Sequence, residues 1–277
     1  MFEGYAMFFW NRYDETPLTQ AVIANNIELV ERLAHHNSHR KAENFLGFNA
    51  DDLALYLGRD EIIEVLGLKK PARFKVLKKG EEDVVEMGVS EYESFFQTRY
   101  TSSLRMTSYP DFCKIIKKCP SRVKKGGMGV SMRGLFEENR EKIKSGYVCE
   151  STIKWISDQM GYGLFTDRFI RKGEFIGEYV GLLLIRQIIS KIEGNYCMRY
   201  PKLSFGLSYY TVDAERIGNE TRFINHNYVP NVKPDSALEK GFSHCVMIAL
   251  RDIEAGEQLT YDYGEDYWRH RNPPLDF

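Results

Sequence analysis

Apolar residues recur at helical spacing in two early stretches, LTQAVIANNIELVERL (18–33) and DDLALYLGRDEIIEVL (51–66), and the two stretches superimpose. Ala21 pairs with Ala54, Glu28 with Glu61, Leu29-Val30 with Ile62-Ile63 and Leu33 with Leu66, each 33 positions on. Asn25-Asn26 and Gly58-Arg59 fall where one helix would stop and the next begin. The pattern predicts a small helical unit over about 10–68 that must bury one face. In LKKPARFKVLKKG (68–80), Pro71 ends the helical pattern and lysines bracket a short strand-like segment, the mark of a junction. From 81 to 150 the pattern is mixed and predicts little. Beyond 150 the runs become short and β-like: EFIGEYVG (174–181), SYYTVDA (208–214) and CVMIALRDI (245–253), each bounded by turn residues. One amphipathic stretch, LLIRQIISKI (183–192), predicts a helix among them. Many short strands with a single helix lack the βα alternation of a doubly wound sheet, so the expected fold class is α+β and a dinucleotide fold is not expected.

With ETPLTQA (15–21), the doubled hairpin resembles the ankyrin repeat, whose helix pair recurs at about this length, although two ordinary amphipathic hairpins would leave the same pattern. Two copies rarely stand alone, so an ankyrin-like unit here implies a protein partner or a buttress for the rest of the chain. The expected organisation is 10–68 helical repeats, 69–149 a linker region, 150–268 a β-rich domain and 269–277 a tail.

Composition narrows the function classes. With 38 basic and 39 acidic side chains the formal charge is −1, so no global field draws the chain to nucleic acid or an anionic membrane. The lysine pairs at 69–70, 78–79, 117–118 and 124–125 read as solvated surface. Five scattered cysteines without a CxxC pair argue against a disulfide framework and a four-cysteine zinc site, and favour a cytoplasmic or nuclear setting. Neither a secretion signal nor an apolar run of about 18 residues is present, so no membrane partner is expected. HHNSHR (35–40) could be called a metal cluster, but sits at a predicted helix end, where solvation or helix-terminus charge accounts for it.

Chemistry is concentrated late in the chain. MGYGLFTDRFIRKGEFIGEYVG (160–181) holds a GxG whose small residues admit a close backbone approach. KKGGMGVSMRGLF (124–136) looks alike, and glycine pattern alone cannot choose between them. RFINHNYVPNV (222–232) sets a histidine between asparagines, and RDIEAGEQLTYDYGEDYW (251–268) closes the set. His226 alone would read as a satisfied core histidine. In this order, with YTVDA (210–214) before the second, the segments resemble the SET domain of protein lysine methyltransferases over roughly 150–268, and the glycines at 126–129 become a decoy.

The resemblance implies a SET-type domain of several small sheets with a knotted-looking cofactor site. It also implies one-step methyl transfer from S-adenosyl-L-methionine to a lysine amine of a protein, histone tails being the family's commonest targets. By similarity, Asn225 would hold the cofactor's amino-acid end and His226 would present backbone groups to the adenine. Met160, Gly161, Tyr162 and Gly163 would add main-chain contacts, and Arg222 would support the strand or the cofactor carboxylate. Tyr263 would stand beside the methyl-transfer line, orienting the amine rather than stripping its proton, since a tyrosine near its reference pKa is a poor base. Tyr196 would help wall the lysine channel. Tyr261, where the family carries tyrosine or phenylalanine, implies mono- or dimethylation. Where many relatives read Ser-Cys, this chain has Asn227-Tyr228, and GEDYWRHRNPPLDF has no cysteine, so no zinc-bound tail is expected. Tyr267-Trp268 would close the site, with Trp268 on the adenine. The alternative is an interaction scaffold with a catalytically weak SET-like domain. The architecture suits a eukaryotic regulator or a protein delivered into a host cell by an intracellular bacterium.

Overall fold

The computed structural model describes residues 15–68, 72–120, 128–187, 194–200 and 208–268. Five short helices come first: α1 (Pro17–Ile23), α2 (Ile27–Leu33), α3 (Asn37–Lys41), α4 (Ala50–Tyr56) and α5 (Asp60–Val65). Local chemistry sets their limits. Thr16 caps α1, with Pro17 at its first turn, Asn26 caps α2, and Asn49 closes a capping box with Asp52 on α4. The break in each copy holds a left-handed residue, Asn25 at φ 55° and its counterpart Gly58 at 61°. α1 stacks on α4 and α2 on α5, and Arg59 donates to the Ile23 carbonyl at 2.9 Å across the copies.

β1 (Arg73–Leu77) falls in the strand-like segment of 68–80, and residues 81–149, for which the sequence predicts little, supply β2 (Val85–Gly88), α6 (Val89–Phe96), β3 (Arg99–Tyr100), β4 (Arg105–Met106), α7 (Tyr109–Lys118) and α8 (Met128–Ser145). There follow β5 (Ser151–Ser157), β6 (Gly161–Thr166), β7 (Phe175–Glu178), β8 (Leu182–Gln187), β9 (Cys197–Arg199), β10 (Ser208–Asp213) and β11 (Ile217–Gly218). A 3₁₀ turn (Glu220–Phe223) leads to β12 (Asn225–His226), β13 (Val232–Glu239), β14 (Phe242–Ala249), β15 (Thr260–Tyr261) and α9 (Glu265–Trp268). The sheets are small: β2-β1-β5-β6, β4-β8-β10-β9, β13-β14-β7, and the pairs β11-β3 and β12-β15. β1 runs parallel to β5, Lys75 opposite Thr152, so the region after the helices extends the first sheet.

The stretch 183–192 departs from its predicted helix. Leu182–Gln187 is a strand held on both edges, antiparallel to β10 and parallel to β4, while 188–193 lie outside the described residues. Its apolar run fits either period, and two waiting strand edges decide for the sheet. The decoy glycines fall at the start of α8 or outside the described residues, as do Pro71, the lysine pairs 69–70 and 124–125, and the tail from 269.

A single apolar cluster runs from Leu18 through Leu53, Phe112 and Phe242 to Tyr261. Tyr56 of α4 lies 4.8 Å from the ring of Phe242 on β14, so the helices bury their face on the β region. Beside this contact sits a buried ionic network. Lys144 reaches Asp52 at 2.7 Å and Glu239 at 2.8 Å, the Tyr56 hydroxyl donates to Glu239 at 2.8 Å, and His244 bridges Glu178 (2.8 Å) and Glu239 (3.4 Å). Burial opposes the charges. The two carboxylates nevertheless hold His244 up to about 9, and His244 with Lys144 holds Glu239 down at about 2. Among the described residues no helix is long and apolar enough to cross a membrane.

Candidate functional site

β6 enters the site through two glycines with different functions. Gly161 lies at φ +70°, a left-handed conformation that suits glycine, with open space where a side chain would stand. Gly163 is a matter of room: a Cβ there would lie 2.6 Å from Ile156 Cδ1, 2.7 Å from Gln258 Nε2 and 3.2 Å from Asn225 Nδ2. Asn225 donates to the Tyr162 carbonyl at 3.1 Å, locking the RFINH segment onto this loop. The Tyr162 ring is anchored edge-on against Phe96 and Trp155, each at 5.2 Å. The Met160 amide donates to Ser157 Oγ at 3.1 Å.

The remaining asparagines of RFINHNYVPNV build the frame. Asn227 Oδ1 accepts from the Val229 amide, closing a tight turn, while Asn231 accepts from the Thr260 amide and donates to the Gln258 carbonyl, both at 2.8 Å. This lashes β12 beside β15 in parallel register, Asn225 opposite Thr260 and His226 opposite Tyr261. Sixty-odd residues of separation are thereby closed, and the GxG, the Asn-His pair and YDYG meet.

His226 is buried, and its Nδ1 accepts from the Tyr263 amide at 3.1 Å. Burial lowers its pKa, against an opposing pull from Asp262. Its ring meets Tyr228 at 4.6 Å, Trp268 at 4.9 Å and Tyr263 at 5.4 Å. The Tyr263 hydroxyl donates to the Ile224 carbonyl at 3.0 Å, and the Tyr261 ring lies 4.6 Å from that of Tyr263. Burial, then the neighbouring tyrosines, raises both phenols well above the ordinary value, so they act as neutral hydroxyl dipoles. Arg222 does not reach toward the glycines. Its guanidinium donates to the Ala214 (2.8 Å) and Glu215 (3.1 Å) carbonyls and lies 3.7 Å over the Tyr196 ring.

A cavity of about 460 Å³ opens on the tyrosine side, lined by β9, Tyr261, Asp262, Tyr263, Glu265 and Tyr267. Its lining does not include the glycines or Asn225; Tyr263 touches both sides. Tyr267 and Trp268, grouped in the sequence reading as one closing pair, pack on each other at 4.8 Å; Tyr267 also lines the cavity and Trp268 also packs on His226. It missed Met198 and Arg199 of β9, which carry no local signal because pairing with β10 alone brings them there. Among the described residues no group of His, Cys, Asp or Glu is arranged to hold a metal.

Residues 161–264 match the family model of the SET domain. The chain is 34% identical over 131 residues to Histone-lysine N-methyltransferase ash1 of Drosophila melanogaster, covering 44% of this chain and 6% of that protein. It is 39% identical over 124 residues to Putative histone-lysine N-methyltransferase 1 of Plasmodium falciparum, covering 42% and 2%. It is 30% identical over 159 residues to Histone-lysine N-methyltransferase SUV39H1 of Xenopus laevis, covering 54% and 33%. The segment 161–264 is thus similar to the SET domain and to histone-lysine methyltransferases, and the chain spans a third or less of the length of these relatives.

Proposed function

We propose that the chain is an S-adenosyl-L-methionine-dependent protein-lysine N-methyltransferase acting on a basic protein segment, a histone tail foremost. The observation that carries this reading is the junction of Gly163, Asn225 and Tyr263 inside a segment that matches the SET domain. The residues present fit the cofactor. Gly161 leaves open space, and Trp268 Nε1 and Gln258 Nε2 are buried nitrogens without a protein partner. The Gly161–Gly163 backbone, Asn225, His226 and Trp268 would hold it, and the bound cofactor would supply an electrophilic methyl on a sulfonium.

The protein's own work is alignment and exclusion of water. Tyr263 and Tyr261 present hydroxyl oxygens to the incoming amine. Because both phenols stay neutral, neither takes the ammonium proton, which leaves to solvent before the amine is enclosed. Arg222 fixes Tyr196 and the 214–215 turn, a positioning role. Asp262 and Glu265 at the cavity suit a positively charged peptide. The buried Tyr261 hydroxyl narrows the space for an already methylated amine and favours mono- or dimethylation. The helix pairs 33 residues apart support an ankyrin-like unit over 10–68 that buttresses the catalytic region or receives a protein partner.

Incubation with labelled cofactor, histones and cell lysate tests the reading. Labelled protein is expected, falling about 10²-fold or more with Tyr263→Phe while cofactor affinity holds. Cofactor binding without transfer to any protein would overturn it in favour of an interaction scaffold. Tyr261→Phe should move the product toward higher methylation, read by mass spectrometry of the modified lysine.

A further inference from the structure

A second cleft, of about 700 Å³, lies between the end of the helical unit and the elements that follow it. Leu55, Ile63, Val89 and Tyr100 supply apolar lining, and Glu220, the first residue of the 3₁₀ turn, lines it too. None of its described lining residues belongs to the cavity of Tyr261 and Tyr263.

Glu220 is the unusual group. Its Oε2 is closed to solvent and has no hydrogen-bond partner, and burial pushes the carboxyl up to about 7. Buried carboxylates are ordinarily paired or bonded. Two of the three lining guanidiniums, and the neighbouring Arg222, are engaged elsewhere, while Arg73 is exposed on β1. Arg99 and Arg105 both hold Asp60, Arg105 also donates to Thr101, and Arg222 is tied to the carbonyls of the 214–215 turn. Tyr92, whose buried hydroxyl also lacks a partner, lies close enough for the Glu220 charge to oppose its ionisation. Among the described lining residues five carboxylates face three guanidiniums. The backbone amide of Glu220 is, among the described residues, the one hydrogen-bond donor acting on its carboxyl, so the cleft offers an unpartnered Oε2 and apolar walls that can take an alkyl stem.

We propose that this cleft is a second binding site, for an alkylammonium or alkylguanidinium group, with Glu220 as its counter-ion. Such a cation forms a charge-assisted hydrogen bond with the carboxylate while its methylenes lie along Leu55 and Ile63. Its source is either a lysine or arginine side chain of a protein bound beside the helical unit, or a free amine. The turn that starts at Glu220 continues to Ile224, whose carbonyl holds the Tyr263 hydroxyl, so an occupied cleft would stiffen the segment bearing the site. The proposal is independent of methyl transfer.

The full chain, without cofactor, is titrated with n-butylammonium, n-butylguanidinium, butyrate and a short lysine-rich peptide, followed by the methyl NMR signals of Leu55 and Ile63 and by calorimetry. Saturable binding of the cations but not butyrate is expected, about tenfold weaker in Glu220→Gln and equal to the parent in Tyr263→Phe. Ser90→Lys, which places an ammonium in the exposed wall of the cleft, should abolish binding without touching Glu220, and serves if Glu220→Gln does not fold. Tighter binding of the peptide than of n-butylammonium identifies a side chain as the source; the reverse identifies a free amine. Absence of saturable cation binding, or binding unchanged in Glu220→Gln and Ser90→Lys, overturns the proposal.

Discussion

At Gly163 a methyl group would have to share space with Ile156 Cδ1, Gln258 Nε2 and Asn225 Nδ2, and the last of these is the amide that locks β12 to the glycine loop. Gly163→Ala is therefore expected to lower stability by about 1–3 kcal/mol through overpacking and to weaken cofactor binding, read by denaturant unfolding and calorimetry. Gly161→Ala carries strain of a different kind, from the left-handed backbone alone. At this scale much of the site was legible, because GxG, Asn-His and YDYG are local strings. The orientation of side chains was not: Arg222 turns to two carbonyls and the Tyr196 ring, and of the packed pair Tyr267-Trp268 only Tyr267 lines the cavity.

Elements show where local pattern stops being sufficient. Helix breaks at Asn25-Asn26 and Gly58-Arg59 are short-range chemistry and were readable as such, while the caps at Thr16 and Asn49, equally local, were not singled out. β8 was not, since an apolar run of its length is ambiguous until β4 and β10 offer edges. Lys144 on α8 marks a second long-range decision. Its ammonium lies between Asp52 of α4 and Glu239 of β13, whose side chain is 3% exposed. Lys144→Met should leave those carboxylates facing one another and cost about 3 kcal/mol, seen as a lower denaturant midpoint at unchanged slope. The double variant with Asp52→Asn should recover part of that loss.

Over the whole molecule the buried ionic groups predict how stability follows pH. His244, held up to about 9 by Glu178 and Glu239, contributes stability that is full below its unfolded value of about 6.5 and is lost as pH rises through 9. Glu220, pushed up to about 7 by burial, contributes in the same sense, from an unfolded value of about 4.3. Glu239, depressed to about 2, contributes above that same unfolded value and loses its contribution as pH falls through 2. Thermal melting should therefore decline with rising pH in two separable parts. Glu220→Gln should flatten the part between about pH 4.5 and 7, and His244→Gln the part between about 6.5 and 9. Equal slopes in the parent and both variants would refute this assignment.

The sequence by itself determined the helix pairs and their breaks, the β-rich character beyond residue 150 and the strings that match a SET domain, because each depends on neighbours within a few residues. Only the tertiary structure decided that β8 is a strand, that residues 72–88 extend the first sheet, and that an ionic network joins Asp52 to His244. It alone left Glu220 Oε2 enclosed without a donor. Those outcomes depend on which distant edge or charge arrives beside a residue, and on what burial then does to a group that would be harmless in water.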